Sequence, residues 1–362
     1  MKAQVLTAFN TPYKLLDVPL PPLTDPHDLL IKVEAASYCH TDAVLAAGGY
    51  APNPPSFPHV GSHEFAGTIV AVHESSSSDL RTGDRVGVPG RSFHPCGECF
   101  ECLDTSTPNC DPAGYSMYCP KSKNNGISKD GGFSEYQLVD SRQCVKLPDS
   151  LTALQAAPLM CAGITIFNAL KRCALQPGQR VGIIGCGGGL GHLGLQFATK
   201  MGLEVTGVDN ADRPLELARG LHSGATIVDA RAEDADAIAR RVGTDDGKTE
   251  RGDMGLDAVI VLPESQKAFD FGIKLLRNHG RCIVLSFPSS GFTFSCQDVV
   301  FRDISIMGSL VGSVKTMKEM MAFIAKYGLQ IRMETYPLPQ LNEMVEKYHE
   351  GSGGKLVVDM SL

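Results

Sequence analysis

The hydrophobic pattern divides the chain into two unlike stretches. Over the first 150 residues, short apolar segments alternate with polar positions and are broken by Pro, Gly, Ser and Asn. Leu29 to Glu34, Gly67 to Val72 and Arg85 to Val88 read as half-buried strands, and helical periodicity is scarce. This stretch is expected to be β-rich with long loops, one of them at Ser75 to Asp79. Near Thr152 the pattern changes. Ala153 to Met160 and Thr165 to Arg172 predict helix, and apolar strands then alternate with amphipathic helices. Arg180 to Ile184, Glu204 to Asp209, Thr226 to Asp229, Leu256 to Leu262 and Gly280 to Ser286 are the strand candidates. Leu190 to Met201, Pro214 to Leu221, Ala232 to Val242 and Ser265 to Leu276 are the helices between them. Such alternation implies a parallel sheet covered on both faces by right-handed crossovers, a doubly wound α/β domain. The tail is mixed, with a strand at Ile304 to Gly308, helices at Lys315 to Lys326 and Pro339 to Glu350, and a last strand at Leu356 to Met360. Gly243 to Gly255 reads as a surface loop.

With 362 residues the chain is long enough for about two domains. Its 40 acidic against 33 basic residues leave no basic excess, which argues against a nucleic-acid partner. No apolar run reaches the roughly 18–20 residues of a membrane span. Met1 to Phe9 lacks the apolar core of a signal peptide, so a cytoplasmic location is expected. Twelve cysteines in such a chain point to metal ligation rather than to a disulfide framework.

Three features carry chemistry. Strand Arg180 to Ile184 runs into Gly185-Cys186-Gly187-Gly188-Gly189-Leu190-Gly191 and then a helix, an arrangement suited to a dinucleotide pyrophosphate. Gly187, Gly188, Gly189, Leu190 and Gly191 are the expected cradle. Asp209, at the end of the next strand, is placed to bind ribose hydroxyls and to repel a 2′-phosphate, favouring NAD over NADP. The turn departs from the six-residue fingerprint, because Cys186 stands where its first glycine would be. Second, Cys96, Cys99, Cys102 and Cys110 offer four soft ligands for a closed, structural zinc, with an iron–sulfur cluster as the weaker alternative. Third, Cys39, His63 and Cys161 could supply two thiolates and an imidazole to a zinc with one open position. Spacing alone does not join these three, and Cys39 or Cys161 read equally well as buried structural thiols. Cys173, Cys282 and Cys296 are expected to be buried hydrophobes, and Met317, Met320 and Met321 to form the apolar face of a helix.

Cys-His-Thr-Asp at 39–42, the Gly61 to Gly67 segment around His63-Glu64, the four-cysteine loop and Gly-Gly-Leu-Gly-His at 188–192 together resemble the zinc-dependent alcohol dehydrogenases of the medium-chain dehydrogenase/reductase superfamily, most nearly their tetrameric microbial branch. The resemblance runs nearly end to end. It implies a β-rich GroES-like catalytic domain from residues 1–155 and 291–362, and a Rossmann domain from 156–290. It implies a catalytic zinc on Cys39, His63 and Cys161, a structural zinc on Cys96, Cys99, Cys102 and Cys110, and NAD as cofactor. Thr41 would bond the alcohol oxygen, Asp42 would orient His63, Glu64 would approach the zinc, and His40 would face the cofactor pyrophosphate. The resemblance further implies a homotetramer or homodimer built around Arg281 to Met307, and a small alcohol or carbonyl substrate.

Three departures stand out, one of them the proline-rich Tyr50 to Pro58 segment. Many relatives carry a relay histidine where this chain has Val44, and an arginine at the pyrophosphate where it has Lys355. Lysine keeps the charge but not the bidentate fork. Val44 keeps open a specialised-metabolite dehydrogenase or a non-redox isomerase or cyclase on the same scaffold; a non-catalytic NAD-sensing or structural relative is the remaining alternative. The pocket is expected near Thr41, Phe57, Phe93 and the 286–311 stretch, with the proline-rich segment Tyr50 to Pro58 at its mouth.

Overall fold

The structure is a computed structural model that describes all residues except 51, 92, 105, 107–114 and 352. Two sheets carry most of it, with a small three-stranded sheet beside them.

The first large sheet is all-parallel. Its spatial order is Thr226–Asp229, Glu204–Asp209, Arg180–Ile184, Leu256–Val261, Leu276–Val284, Ser305–Gly308. Numbered by sequence this is 3-2-1-4-5-6, the doubly wound dinucleotide-binding order, with its switch point beside Arg180–Ile184. The central strands are apolar on both faces: Val181, Ile183, Ala258, Val259, Ile260 and Val261 are all buried, as helices on both sides require. Ser305–Gly308 is the edge strand here, although the sequence reading grouped it with the β-rich domain. The strand Leu276–Val284 begins four residues before its expected start, directly after the helix Gln266–Leu275.

The second sheet is largely antiparallel. It runs Met333–Tyr336, Lys355–Asp359, Asp28–Tyr38, Glu64–Val72, Arg85–Pro89, Val145–Lys146, and Tyr136–Asp140 also pairs with Asp28–Tyr38. The C-terminal strand thus closes onto the N-terminal half. Asp28–Tyr38 is longer than the apolar alternation suggested, because its end at Ala35, Ala36 and Tyr38 is buried on both faces.

Between the sheets lies a broken helix, Ala153–Ala156 followed by Ala157–Met160 and then, after Cys161, by Ala162–Arg172. The break bends the chain by 51° and turns Cys161 out of the helical ladder. Among the described residues no single helix is long and apolar enough to cross a membrane. Met317, Met320 and Met321 pack in the same core as this helix. Cys173 and Cys282 are buried; Cys296 is exposed instead, as the first residue of the short helix Cys296–Arg302, where Ser295 caps and no apolar face forms. The expected loop at 243–255 is shorter, because helix Ala235–Asp245 runs into it.

Candidate active site

Three donors meet at the bottom of the cleft between the two large sheets. Cys39 follows strand Asp28–Tyr38 and caps the helix His40–Ala46. A reciprocal capping box with Asp42 nucleates that helix, and the Cys39 N–H donates to Asp42 Oδ2 at 2.9 Å. His63 precedes strand Glu64–Val72, and Cys161 sits at the helix break. The ligand atoms of Cys39, His63 and Cys161 all lie within 4.8 Å of one another. His63 Nδ1 faces Asp42 Oδ1 at 3.3 Å, and the same oxygen accepts the Ser62 N–H at 3.1 Å. His63 Nε2 is buried and has no hydrogen-bond partner among the described residues. An orphaned imidazole nitrogen between two thiols is costly unless something occupies the gap. The two thiols share charge unequally: Cys39 is held well below the ordinary range by its interaction with Cys161, and Cys161 is pushed well above it by Cys39. Two sulfurs, one nitrogen and an open side fit zinc at a catalytic position.

Glu64 lies behind this group and does not join it. Its carboxylate is ion-paired with Lys355 and accepts the Ala162 N–H at 3.3 Å. Lys355 also donates to the Tyr38 carbonyl at 3.0 Å, and both side chains are fully enclosed. The Lys355 ammonium is therefore turned away from the cleft, where the sequence reading had it meet a pyrophosphate. Its methylene stem backs the glycine turn instead: a Cβ on Gly189 would sit 3.0 Å from Lys355 Cδ.

The glycine turn follows from local sterics. Gly185 has φ +84°, a conformation that L side chains rarely adopt. A Cβ on Gly191 would lie 2.1 Å from the Gly185 carbonyl oxygen, and one on Gly187 would lie 2.0 Å from that of Pro214. At Gly188 an added Cβ would meet nothing nearer than 3.5 Å, so here the backbone is bare towards the cleft. Cys186 is buried beneath the turn. Asp209 Oδ2 accepts the Gly187 N–H at 3.0 Å, which fixes the carboxylate at the cleft edge. The Thr165 hydroxyl lines the same cleft, buried and without a partner among the described residues, a polar atom that a bound cofactor would satisfy.

The cleft has a volume of about 640 Å³. Thr41, Tyr50, Arg91 and Asn124 border its metal end, and Leu285, Ser286, Phe287 and Leu310 wall it from the nucleotide domain. Phe57 and Phe93 lie outside it: Phe57 packs edge-on against Phe9 at 5.0 Å, and Phe93 stacks on His94. Burial pushes the Tyr50 phenol up to about 12, and the Thr41 hydroxyl beside it works against that rise. His40 spans the cleft edge, with Nδ1 2.9 Å from the Tyr348 hydroxyl and Nε2 3.3 Å from Glu264 Oε1. Val44 faces Gly49 rather than the cleft.

The cysteine loop gathers a second group. Cys96, Cys99, Cys102 and Cys119 place their sulfurs within 4.8 Å of one another, and the Cys119 sulfur is 3.6 Å from that of Cys96 and 3.9 Å from that of Cys99. The backbone N–H of Glu98 and that of Cys99 hold the Cys96 thiol at about 6, which favours the thiolate a metal needs. Four sulfurs complete a tetrahedral set. Cys119 was not singled out from the sequence, and Cys110, which was, lies outside the described residues. The signal for Cys119 was weak: it stands alone, seventeen residues past Cys102.

Comparison with known proteins agrees with this geometry. Residues 25–149 match the alcohol dehydrogenase GroES-like domain, and residues 189–326 match the zinc-binding dehydrogenase domain. An alcohol dehydrogenase of Geobacillus stearothermophilus is 34% identical over 361 residues, covering 99% of each chain. A probable formaldehyde dehydrogenase of Bacillus subtilis is 33% identical over 333 residues, 89% of this chain and 86% of its own. Among solved structures, the alcohol dehydrogenase of Aeropyrum pernix superimposes with a TM-score of 0.83 at 28% identity, covering 99% of this chain and 100% of that one. The acetophenone reductase of Geotrichum candidum, solved with NAD, gives 0.80 at 27% identity, covering 99% and 96%. With its two cysteine-rich ligand groups and its dinucleotide sheet, the chain belongs to the zinc-type alcohol dehydrogenases of the medium-chain dehydrogenase/reductase superfamily.

Proposed function

We propose that the chain oxidises an alcohol, and reduces the corresponding carbonyl, with Cys39, His63 and Cys161 holding the catalytic zinc and NAD as the redox partner. The observation that carries this reading is the buried, unpartnered His63 Nε2 between two thiols, at the floor of a cleft bordered by the glycine turn. When bound, zinc supplies a Lewis acid that lowers the pKa of the alcohol, and NAD supplies the acceptor for its hydride.

The chain's own residues do the rest. Asp42 accepts from His63 Nδ1–H, which fixes the tautomer and leaves Nε2 free to act as a ligand. Three protein donors leave one position for the substrate oxygen. The Thr41 hydroxyl, open to the cleft beside them, accepts the proton of the substrate hydroxyl and passes it on. Tyr50 is the next hydroxyl in line; with its pKa raised by burial, it relays the proton rather than keeping the charge. Val44 takes no part. The N–H groups around Gly188 to Gly191 and the His40 imidazole receive the pyrophosphate. Asp209 receives the adenosine ribose. Arg231, a nearby cation, is already bonded to Asp229 and Asp212, and the Asp209 carboxylate would repel a 2′-phosphate, which together support NAD over NADP.

Self-association is proposed at the free edge of Ser305–Gly308, beside the exposed Val300 and Phe301. A specialised dehydrogenase is the second reading that a specific observation favours, namely an arginine in the substrate end of the cleft. Hydride transfer is tested with an alcohol deuterated at its carbinol carbon. The expected result is one deuterium at C4 of the reduced nicotinamide; bound NAD and turnover without label in the cofactor would contradict it.

A further inference from the structure

Arg91 enters the cleft from the loop after strand Arg85–Pro89. The backbone that carries it is pinned to the metal-ligand group: a Cβ on Gly90 would lie 2.4 Å from His63 Cβ, so the loop lies directly against that residue. Burial is the main influence on its guanidinium, which lies within electrostatic reach of Cys161 and Tyr50 at the metal end of the cleft. Among the described residues it has no ion-pair or hydrogen-bond partner. The other charged groups of this cleft are accounted for. Glu64 and Lys355 neutralise each other behind the metal ligands, Glu264 faces His40, and Asp209 is bonded to the glycine turn. Two thiolates match the two charges of zinc, so the metal centre leaves nothing to balance Arg91.

An unpaired guanidinium in a partly desolvated pocket is unfavourable unless a ligand completes it. Its planar fork matches a carboxylate through two parallel hydrogen bonds. Asn53 and Asn124 add polar surface near it, as a charged ligand group requires.

We propose that Arg91 is a specificity residue that binds a carboxylate on the substrate, so that the preferred substrates are alcohols or carbonyl compounds bearing a second, anionic end, such as hydroxy acids and semialdehydes. The proposal rests on the zinc and NAD reading above and deepens it. The distal carboxylate pairs with the guanidinium while the reacting oxygen occupies the open position between Cys39, His63 and Cys161.

The test uses unreactive amides, whose carbonyl stands for the reacting one. Malonamate, succinamate and glutaramate are each titrated into the zinc-loaded enzyme with NADH, against propionamide, butyramide and valeramide of matching length. Binding is read by NADH fluorescence. The expected result is that at least one carboxylate amide binds about tenfold or more tightly than its uncharged match. That ratio falls to about one in Arg91→Gln and is partly kept in Arg91→Lys. A ratio near one throughout the wild-type series, or one that survives Arg91→Gln, overturns the proposal. Zinc content and NADH affinity are measured on the same samples. Protein that binds both yet shows no carboxylate advantage overturns this proposal alone, and protein that binds neither overturns both readings.

Discussion

Replacing Lys355 by Met tests how the metal site and the glycine turn are held together. The Lys355 ammonium pairs with Glu64 in full burial and donates to Tyr38 O at 3.0 Å. Methionine fills a similar volume without charge and leaves the Glu64 carboxylate buried with only the Ala162 N–H. That carboxylate then either stays charged and unpaired or takes a proton. Burial already holds the Glu64 carboxyl up at about 7 with the ammonium beside it, and losing Lys355 pushes it higher. Breaking one half of a buried pair costs roughly 3–5 kcal/mol by general experience. The expected loss is therefore about 3 kcal/mol or more, felt in the sheet that Lys355–Asp359 closes. NADH affinity should change little, because methionine keeps an apolar stem beneath Gly189. Glu64→Gln combined with Lys355→Met removes both charges, and its amide still accepts from Ala162; the double variant should recover more than half the loss. Urea unfolding of the zinc-loaded protein reads both. A Lys355→Met variant within about 1 kcal/mol of wild type, or a double variant no better than the single one, would refute the reasoning.

Other expectations follow from the same geometry. Asp209→Asn keeps a side-chain oxygen for the Gly187 N–H but removes the charge, so NAD binding should weaken about tenfold and discrimination against NADP should shrink, as read by paired titrations. Cys119→Ser should lower zinc by one ion per chain while Cys110→Ser leaves it unchanged; the reverse in elemental analysis would return the fourth ligand to Cys110. His192 is buried with its pKa lowered to about 4 from an ordinary 6.5, burial being the main cause. Its neutral ring faces Gly188 O and accepts from the Arg332 N–H. Folding prefers the neutral form, so this contribution is fully present above pH 6.5, is lost as pH falls towards 4, and is constant below that. The loss totals about 3 kcal/mol. His192→Asn, which keeps a donor for Gly188 O, should flatten that part of the acid stability curve; an unchanged curve would count against it.

Much of the nucleotide domain was legible in the sequence because its strands are buried on both faces and its helices on one, which gives two clear periods. The doubly wound class follows from that alternation, whereas the 3-2-1-4-5-6 order is visible only in the fold; Ser305–Gly308 read as part of the other domain, since a short edge strand carries little pattern of its own. The helix His40–Ala46 was not legible: seven residues are too few for a period, and it depends on the Cys39–Asp42 cap. Zinc-ligand spacing marked Cys96, Cys99 and Cys102, but Cys119 arrives from a distant turn, and only folding brings it to them. Lys355 looked like a pyrophosphate contact because sequence gives charge and position but not the buried partner. Arg91 carried no signal at all, since a basic residue in a loop is ordinarily solvated. Its meaning depends on the cleft that the 285–311 segment closes.

The central claim is hydride transfer at a zinc held by Cys39, His63 and Cys161. Its most direct test is to count zinc and follow NADH formation in the same preparations of wild type and Cys39→Ser. Wild type should hold two zinc ions per chain and form NADH from NAD and alcohol; the variant should stay folded, keep one ion and form none. A variant that retains two ions, or that loses one and still forms NADH at the wild-type rate, would contradict the account.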